Sequence, residues 1–304
     1  MSESMRAIVI PTFGGPEVLE YRDVPRPVPG PGEVLIRVHA FGVNYAEMHM
    51  RKGEWDEWNP ITGLECVGTI VSSSAYPHPH PYHHHPSPSS SRNHEFRPGT
   101  KVAAVMGGMG RTRPGSYGEY VAVPATNVIS LEDEPETKLS WAQLAALPET
   151  YCTAWSCLFT VLDLRKGETL LIRGATSTLG QAALHLAVDV GAIVTATTRR
   201  EERFDVLRSM GAVRVVREQA SLLDEEDKIE QEQEHGSHGD GRKERMKFDK
   251  TLNLIGNSVL LESIALTRPG GRMLQAGWLG GLEPLHEFNP DGADGVGRAF
   301  QSVP

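Results

Sequence analysis

From Thr169 onward the chain alternates strand-like and helix-like runs. "TLLIRG" is apolar and branched, "STLGQAALHLAVDVG" places its apolar residues at helical spacing, and "AIVTATT" is strand-like again. "REERFDVLRSMG" and "VRVV" repeat the cycle. "KFDKTLNLIG", "NSVLLESIALTRPG" and "GRMLQAGW" resume it after a polar interruption. This alternation constrains the fold more than any other feature. Strands joined by crossover helices run parallel, and the crossovers are right-handed.

The first third reads differently. "RAIVI", "EVLIRVHA", "CVGTIV", "KVAAVM" and "YGEYVAV" are short Val- and Ile-rich runs separated by Gly- and Pro-rich turns, the pattern of an all-β, barrel-like unit. With 304 residues, two domains are the expectation. The expected division is 1–147 for the β unit, 148–283 for the α/β unit and an irregular remnant at 284–304. "PETYCTAWSCLFTVLDLRKG" is read as a helix opening at Pro148. Two segments read as insertions, 72–95 and 224–247. The first holds "HPHPYHHHPS", with five of the twelve histidines, and has almost nothing to bury. Clustered histidines bind metals adventitiously, but a solvated low-complexity loop is the better reading.

A formal charge of -9 argues against nucleic acid, which needs a basic face. No run of 18 or more apolar residues appears, so no membrane span is expected, and the start lacks the pattern of a signal peptide. Three cysteines, Cys66, Cys152 and Cys157, with no C-x-x-C, fit a reducing, cytoplasmic setting.

The stretch that carries chemistry is "LLIRGATSTLGQAALHLA". A strand ends at Arg173, Gly174 permits a tight turn, and Ala175, Thr176, Ser177, Thr178 and Leu179 lead into a helix. Gly180 lets that helix pack closely on the strand. Such a helix start binds a pyrophosphate, because free N–H groups and the helix dipole both favour negative charge. Ser177 stands where G-x-G-x-x-G has its central glycine, and an ordinary capped βα turn is the plainer alternative. The next strand ends in Thr198, Arg199 and Arg200. A small polar residue followed by arginines suits the 2′-phosphate of NADP rather than the 2′-hydroxyl of NAD. Pairing of the two arginines with Glu201 and Glu202 is the alternative; the pair at this place favours NADPH.

In the order of these segments the chain resembles the medium-chain dehydrogenase/reductase superfamily, in its zinc-free quinone oxidoreductase-like branch. "PGPGEVLIRVHAFGVNYAEM", "GLECVGTIV", "FRPGTKVAAV", "GSYGEYVAVPATNVISL", "LPETYCTAWSCLF", "FDKTLNLIGN" and "GGRMLQAGW" are similar to the family's successive segments. The resemblance implies a GroES-like β-barrel domain followed by a Rossmann doubly wound parallel sheet. It implies hydride transfer from NADPH to a quinone or an α,β-unsaturated carbonyl, in a cleft between the domains. Zinc-dependent members carry a cysteine in the early loop and G-H-E in the following strand; this chain has Phe41-Gly42-Val43-Asn44 and Leu64 there, so no metal is expected. The family continues past "GGRMLQAGW" with another strand, whereas "HEFNPDGADGVGRAFQSVP" lacks periodicity. "GRMLQAGW" is therefore expected to be the last strand, with activity impaired and the family's homodimer weakened.

Among candidate catalytic residues, Asn44 would orient the acceptor, or else be a turn residue. Tyr45 and Tyr117 are proton-donor candidates, or else packed aromatics. Trp55 stands where enoyl reductases of the superfamily have a proton-donating tyrosine. Thr153 is a candidate cofactor neighbour on the helix that approaches the phosphates. Asn253, Ile255 and Gly256 end one late strand and Ala276, Gly277 and Trp278 another, where open α/β sheets bind ligands; strand-end turns are the alternative. Two other functions stay open: an enoyl reductase for fatty acyl or polyketide chains, and a non-catalytic nucleotide-binding or scaffold protein.

Overall fold

The computed structural model describes residues 3–74, 96–132, 137–219, 222, 247–278, 280 and 299–302. The chain forms two units, Met1–Glu149 and Thr150–Pro304. The division falls just inside a helix that starts at Pro148. The His-rich stretch and nearly all of the charged insertion lie outside the described residues. Ser72 and Ser73, read as the start of the first insertion, instead close a strand.

In the first unit β1 (Ser4–Val9) pairs antiparallel with β2 (Glu20–Pro25). A five-stranded antiparallel sheet follows, made of β3 (Glu33–Ala40), β4 (Glu65–Ser73), β5 (Lys101–Val105), β6 (Tyr120–Pro124) and β7 (Val128–Ser130), in the order β6-β3-β4-β5-β7. Alternation sorts the side chains. Val102 and Ala104 join Val34, Ile36, Cys66, Ile70, Val121 and Val123 in one core. Ala103 and Val67 face the other way, against Ala145 of α2 (Trp141–Ala145). Register shifts in the β3–β4 pairing bend the sheet as barrels require.

The segment read from sequence as strand and loop also contains a helix, α1 (Tyr45–Lys52). Asn44 is its N-cap residue, and Gly53 ends it at φ 75°, the left-handed conformation that stops helices.

The second unit is built on a six-stranded parallel sheet in the order β10-β9-β8-β11-β12-β13. The strands are β8 (Thr169–Arg173), β9 (Ile193–Thr198), β10 (Arg214–Arg217), β11 (Phe248–Asn253), β12 (Thr267–Gln275) and β13 (Ala299–Ser302). The helices are α3 (Pro148–Trp155), which continues as a π-helical turn over Ser156–Val161, α4 (Thr178–Asp189), α5 (Phe204–Ser209) and α6 (Leu260–Leu266). The central strand β8 is buried on both faces. Leu170 and Ile172 pack with Ala182, Ala183, Leu184 and Ala187 of α4, and Leu171 packs with Phe248 and Leu266 on the opposite face. Each of these leucines, Ile172 and Phe248 contributes about 1.5–3 kcal/mol by leaving water.

Two expectations need correction. "GRMLQAGW" is not the last strand, because Ala299–Ser302 pairs in parallel with Arg272–Gln275. Its outer neighbour is thus a short segment of the tail that carries no visible alternation. Second, "TRPG" belongs to β12 rather than to the preceding helix, which ends at Leu266.

Candidate functional site: a phosphate-cradle turn and a buried polar cluster

Strand order reverses between β8 and β11, and the carboxyl ends of β8 and its neighbours are the place where such sheets take ligands. β8 ends at Arg173, and Gly174 turns the chain at φ 82°. Ser177 caps α4: its Oγ accepts from Gly180 N at 3.0 Å and donates to Gly174 O at 2.9 Å. A Cβ added at Gly180 would lie 2.7 Å from both Ala175 Cα and Gly174 O, so only glycine allows this closeness. The amides of Gly174, Ala175 and Ser177 are taken, by Thr197 Oγ1, Thr197 O and Gly174 O respectively. The amides of Thr176, Thr178 and Leu179 have no partner among the described residues. They open at the positive end of α4 and can hold a pyrophosphate.

At the end of β9 Thr198 is buried, and its Oγ1 lies 3.3 Å from Thr176 Oγ1 and accepts from Arg200 N at 3.3 Å. Arg199 and Arg200 are exposed. Glu201 pairs with Arg217, and neither Arg199 nor Arg200 makes an ion pair among the described residues. The pairing alternative is therefore not what the structure contains.

Beneath the turn lies a network that the sequence reading missed. Arg173 is fully buried. Its guanidinium binds both oxygens of Glu218, lies 2.8 Å from Glu262 Oε2, and donates to Val259 O and Ser263 Oγ at 3.3 Å. Glu218 also accepts from the Thr197 hydroxyl. The available signal was a charged residue closing the otherwise apolar run "TLLIR".

β11 and β12 bring their ends to the same level, with Asn253 in register with both Arg173 and Gln275. Asn253 is committed to its own turn. Its Oδ1 accepts from Ile255 N and Gly256 N, and its Nδ2 donates to Gly256 O and Gln275 Oε1. Ala276 N donates to Asn253 O, and Gly277 passes so close to Leu254 that an added Cβ would lie 2.5 Å from its carbonyl oxygen. Trp278 follows at the same end. Thr153 is half-buried on α3, whose Ala154 belongs to the core of this unit.

In the first unit a second polar cluster gathers residues from distant segments. Asn44 Nδ2 donates to Glu65 Oε1 at 2.9 Å, and Glu65 Oε2 accepts from Glu149 N at 2.8 Å. Glu47 accepts from Asn44 N at 2.6 Å, from Leu64 N at 2.9 Å and from the Tyr117 hydroxyl at 2.9 Å. Glu47 and Glu65 are both buried. Burial raises both carboxyl pKa values; the hydrogen bonds just named oppose it, and the charge of Glu65 adds to it at Glu47. Burial, with the Glu47 charge behind it, also pushes the Tyr117 hydroxyl up. Tyr45 is 55% exposed and sits edge-on to His49. Of the sequence candidates, Asn44 and Tyr117 therefore meet through Glu47, whereas Tyr45 stands apart. The two glutamates went unnamed, although Glu65 is the acid of the recognised "GLECVG".

The family model for the alcohol dehydrogenase GroES-like domain matches residues 30–133, and that for the zinc-binding dehydrogenase matches residues 178–293. The donor set does not fit the zinc of that description. Among the described residues no group of three or more His, Cys, Asp or Glu is placed to hold a metal, and Leu64 is buried where the histidine would stand. Cys66 is no substitute, because one thiol supplies a single ligand where a catalytic zinc takes three, and this one is buried in the apolar core. A mycobacterial protein solved in complex with NADPH shares the fold, with a TM-score of 0.75 at 21% identity over 99% of this chain and 81% of that one. The CurK enoyl reductase does so with a TM-score of 0.74 at 19% identity, over 99% and 81%. The quinone oxidoreductase of Mus musculus is 31% identical over 92% of this chain and 75% of its own length. That likeness runs through both units in order, and the chain accordingly belongs to the medium-chain dehydrogenase/reductase superfamily, in its quinone oxidoreductase-like branch, and is an oxidoreductase.

Proposed function

We propose that the protein uses NADPH to reduce a quinone or an α,β-unsaturated carbonyl without zinc. The observation that carries the cofactor choice is the pair of exposed arginines, Arg199 and Arg200, free of ion pairs among the described residues and following Thr198 at the end of β9. An acid at this place would select the 2′-hydroxyl of NAD, whereas two cations favour a 2′-phosphate. When bound, the nicotinamide supplies the hydride. The amides of Thr176, Thr178 and Leu179 would hold the pyrophosphate.

For the acceptor, Asn44 is the positioning group. One N–H of its amide is held by Glu65, which leaves the other N–H to donate to an acceptor carbonyl. Quinone reduction places charge on oxygens that solvent can protonate, so no dedicated acid is required. Where a proton must reach carbon, Tyr45 is the open candidate, because the hydroxyl of Tyr117 is committed to Glu47. Trp55, lying under the Arg111 guanidinium at 5.3 Å, carries only an indole N–H, which donates a hydrogen bond but is no proton-transfer acid, at the enoyl reductases' tyrosine position, which favours quinones and enones over acyl thioesters.

The test is a titration of the purified protein with NADPH and NADH, followed by quinones and enones with the preferred cofactor. Saturable NADPH binding with acceptor-dependent oxidation is expected. Binding of neither nucleotide would sink the proposal.

A further inference from the structure

We propose that Thr197, held by the buried Arg173–Glu218 ion pair, is a positioning residue of the dinucleotide site; this rests on the cofactor reading given above. The Thr197 hydroxyl donates to Glu218, and its lone pair accepts from Gly174 N at 3.2 Å. Carboxylate oxygens accept only, so the hydroxyl proton faces Glu218 and the lone pair must face the turn. The loop closes on itself. Gly174 N–H meets Thr197, Thr197 meets Glu218, and Glu218 meets Arg173, the residue before Gly174.

This arrangement does something that an apolar residue could not. Position 173 ends a run of buried aliphatics, and a buried ion pair seldom stabilises more than a well-packed apolar replacement. The carboxylate's particular contribution is to orient the Thr197 hydroxyl. Gly174 has the freest backbone in the segment, at φ 82°, and its amide is pinned by that hydroxyl. Ala175 N is pinned by Thr197 O at 3.0 Å. With these two amides turned inward to β9, the amides of Thr176, Thr178 and Leu179 are the ones left for a ligand. The same network reaches the 2′-phosphate side, since Glu218 N donates to Thr198 O at 2.8 Å. Preorganisation of this kind acts on ligand affinity rather than on fold alone.

The experiment compares Thr197→Val and Thr197→Ser with the wild type, measuring NADPH and NADH dissociation constants well below the melting temperature. Thr197→Val keeps the shape and the ion pair but removes the hydroxyl. It should weaken both cofactors about equally, by roughly tenfold, the lower end of what outer-shell partners of bound metals are worth. Thr197→Ser should restore binding. A folded Thr197→Val protein with unchanged constants would reduce Thr197 to a structural role and overturn the proposal. Loss confined to NADPH would overturn it as well, because the effect would then run through the 2′-phosphate. A wild type that binds neither cofactor would instead refute the cofactor reading itself. Should Thr197→Val fail to fold, hydrogen exchange on the unliganded wild type decides: Gly174 N–H is expected to be protected, with Thr176, Thr178 and Leu179 exchanging fast until NADPH is added. Fast exchange at Gly174 would overturn the proposal.

Discussion

Asn44 and Glu65 share one hydrogen bond, Nδ2 to Oε1 at 2.9 Å, and it decides which way the Asn44 amide faces. Glu65 can only accept there, so Oδ1 is directed elsewhere. Glu65→Leu should release the amide and leave Glu149 N without its acceptor. A hydrogen bond to a charged group is worth about 1.5–3 kcal/mol. The expected outcome is a lower melting temperature and a fall of roughly tenfold or more in acceptor kcat/KM. The NADPH dissociation constant, set in the other unit, should stay unchanged. Equal loss of acceptor turnover and cofactor binding would contradict the role given to Asn44.

The buried carboxyl of Glu47 gives a pH dependence with a definite sign. Burial raises its pKa in the folded protein, so the folded state holds the proton more tightly than the unfolded chain does. Its contribution to stability is therefore full at acid pH and is lost as pH rises through the ordinary carboxylate range toward the raised value. Melting curves taken upward from about pH 4, just below the ordinary glutamate value, should show this decline in the wild type and a flatter profile in Glu47→Gln. A variant with the wild-type slope would show that Glu47 does not titrate in this window.

Replacing both Arg199 and Arg200 by alanine tests the cofactor preference. Each charge-assisted phosphate contact is worth about 1.5–3 kcal/mol, so the NADPH dissociation constant should rise at least tenfold while that of NADH changes little. Because both side chains are exposed and make no ion pair among the described residues, the melting temperature of the unliganded protein should hold. Parallel weakening of the two cofactors is the result that would remove the 2′-phosphate assignment.

Gly180→Ala asks whether the closeness of α4 to the turn matters. The new methyl group would meet backbone at 2.7 Å, where no flexible side chain can yield. Overpacking of this kind costs about 1–3 kcal/mol, and here it would also displace the turn that presents the free amides. Thermal melts and NADPH titration should both register the change; a neutral variant would mean that α4 shifts freely.

The parallel unit was legible because its strands are buried on both faces and its helices keep one apolar stripe, so β8, α4 and β9 announce themselves. β2 was not legible: all but one of the side chains in "EYRDVP" are exposed, and it is held by pairing with β1 rather than by burial. α1 was hidden by its short length and by polar residues such as Glu47, Arg51 and Lys52. The turn at Gly174 could be read from local chemistry, since glycine, cap and helix are contiguous. The Arg173–Glu218–Thr197 network could not, because its members are 21 to 45 residues apart and meet only once three strands are in register. Asn253 differs: its Oδ1 accepts only from Ile255 and Gly256, two and three residues on, so the strand-end turn offered as the alternative lay within reach of the sequence.

The turn at Gly174 divides its labour between interior and surface. Arg173, Thr197, Thr198 and Glu218 are buried and interlocked, whereas Arg199 and Arg200 project into solvent and bond to none of that frame through their side chains. A lineage carrying this turn can therefore change the charge presented at the end of β9 by one or two surface substitutions. Selection would see the new ligand preference without a folding defect attached to it. The frame would tolerate change only in concert, and drift at this site should accordingly be fast at 199 and 200 and nearly arrested at 173, 197 and 218.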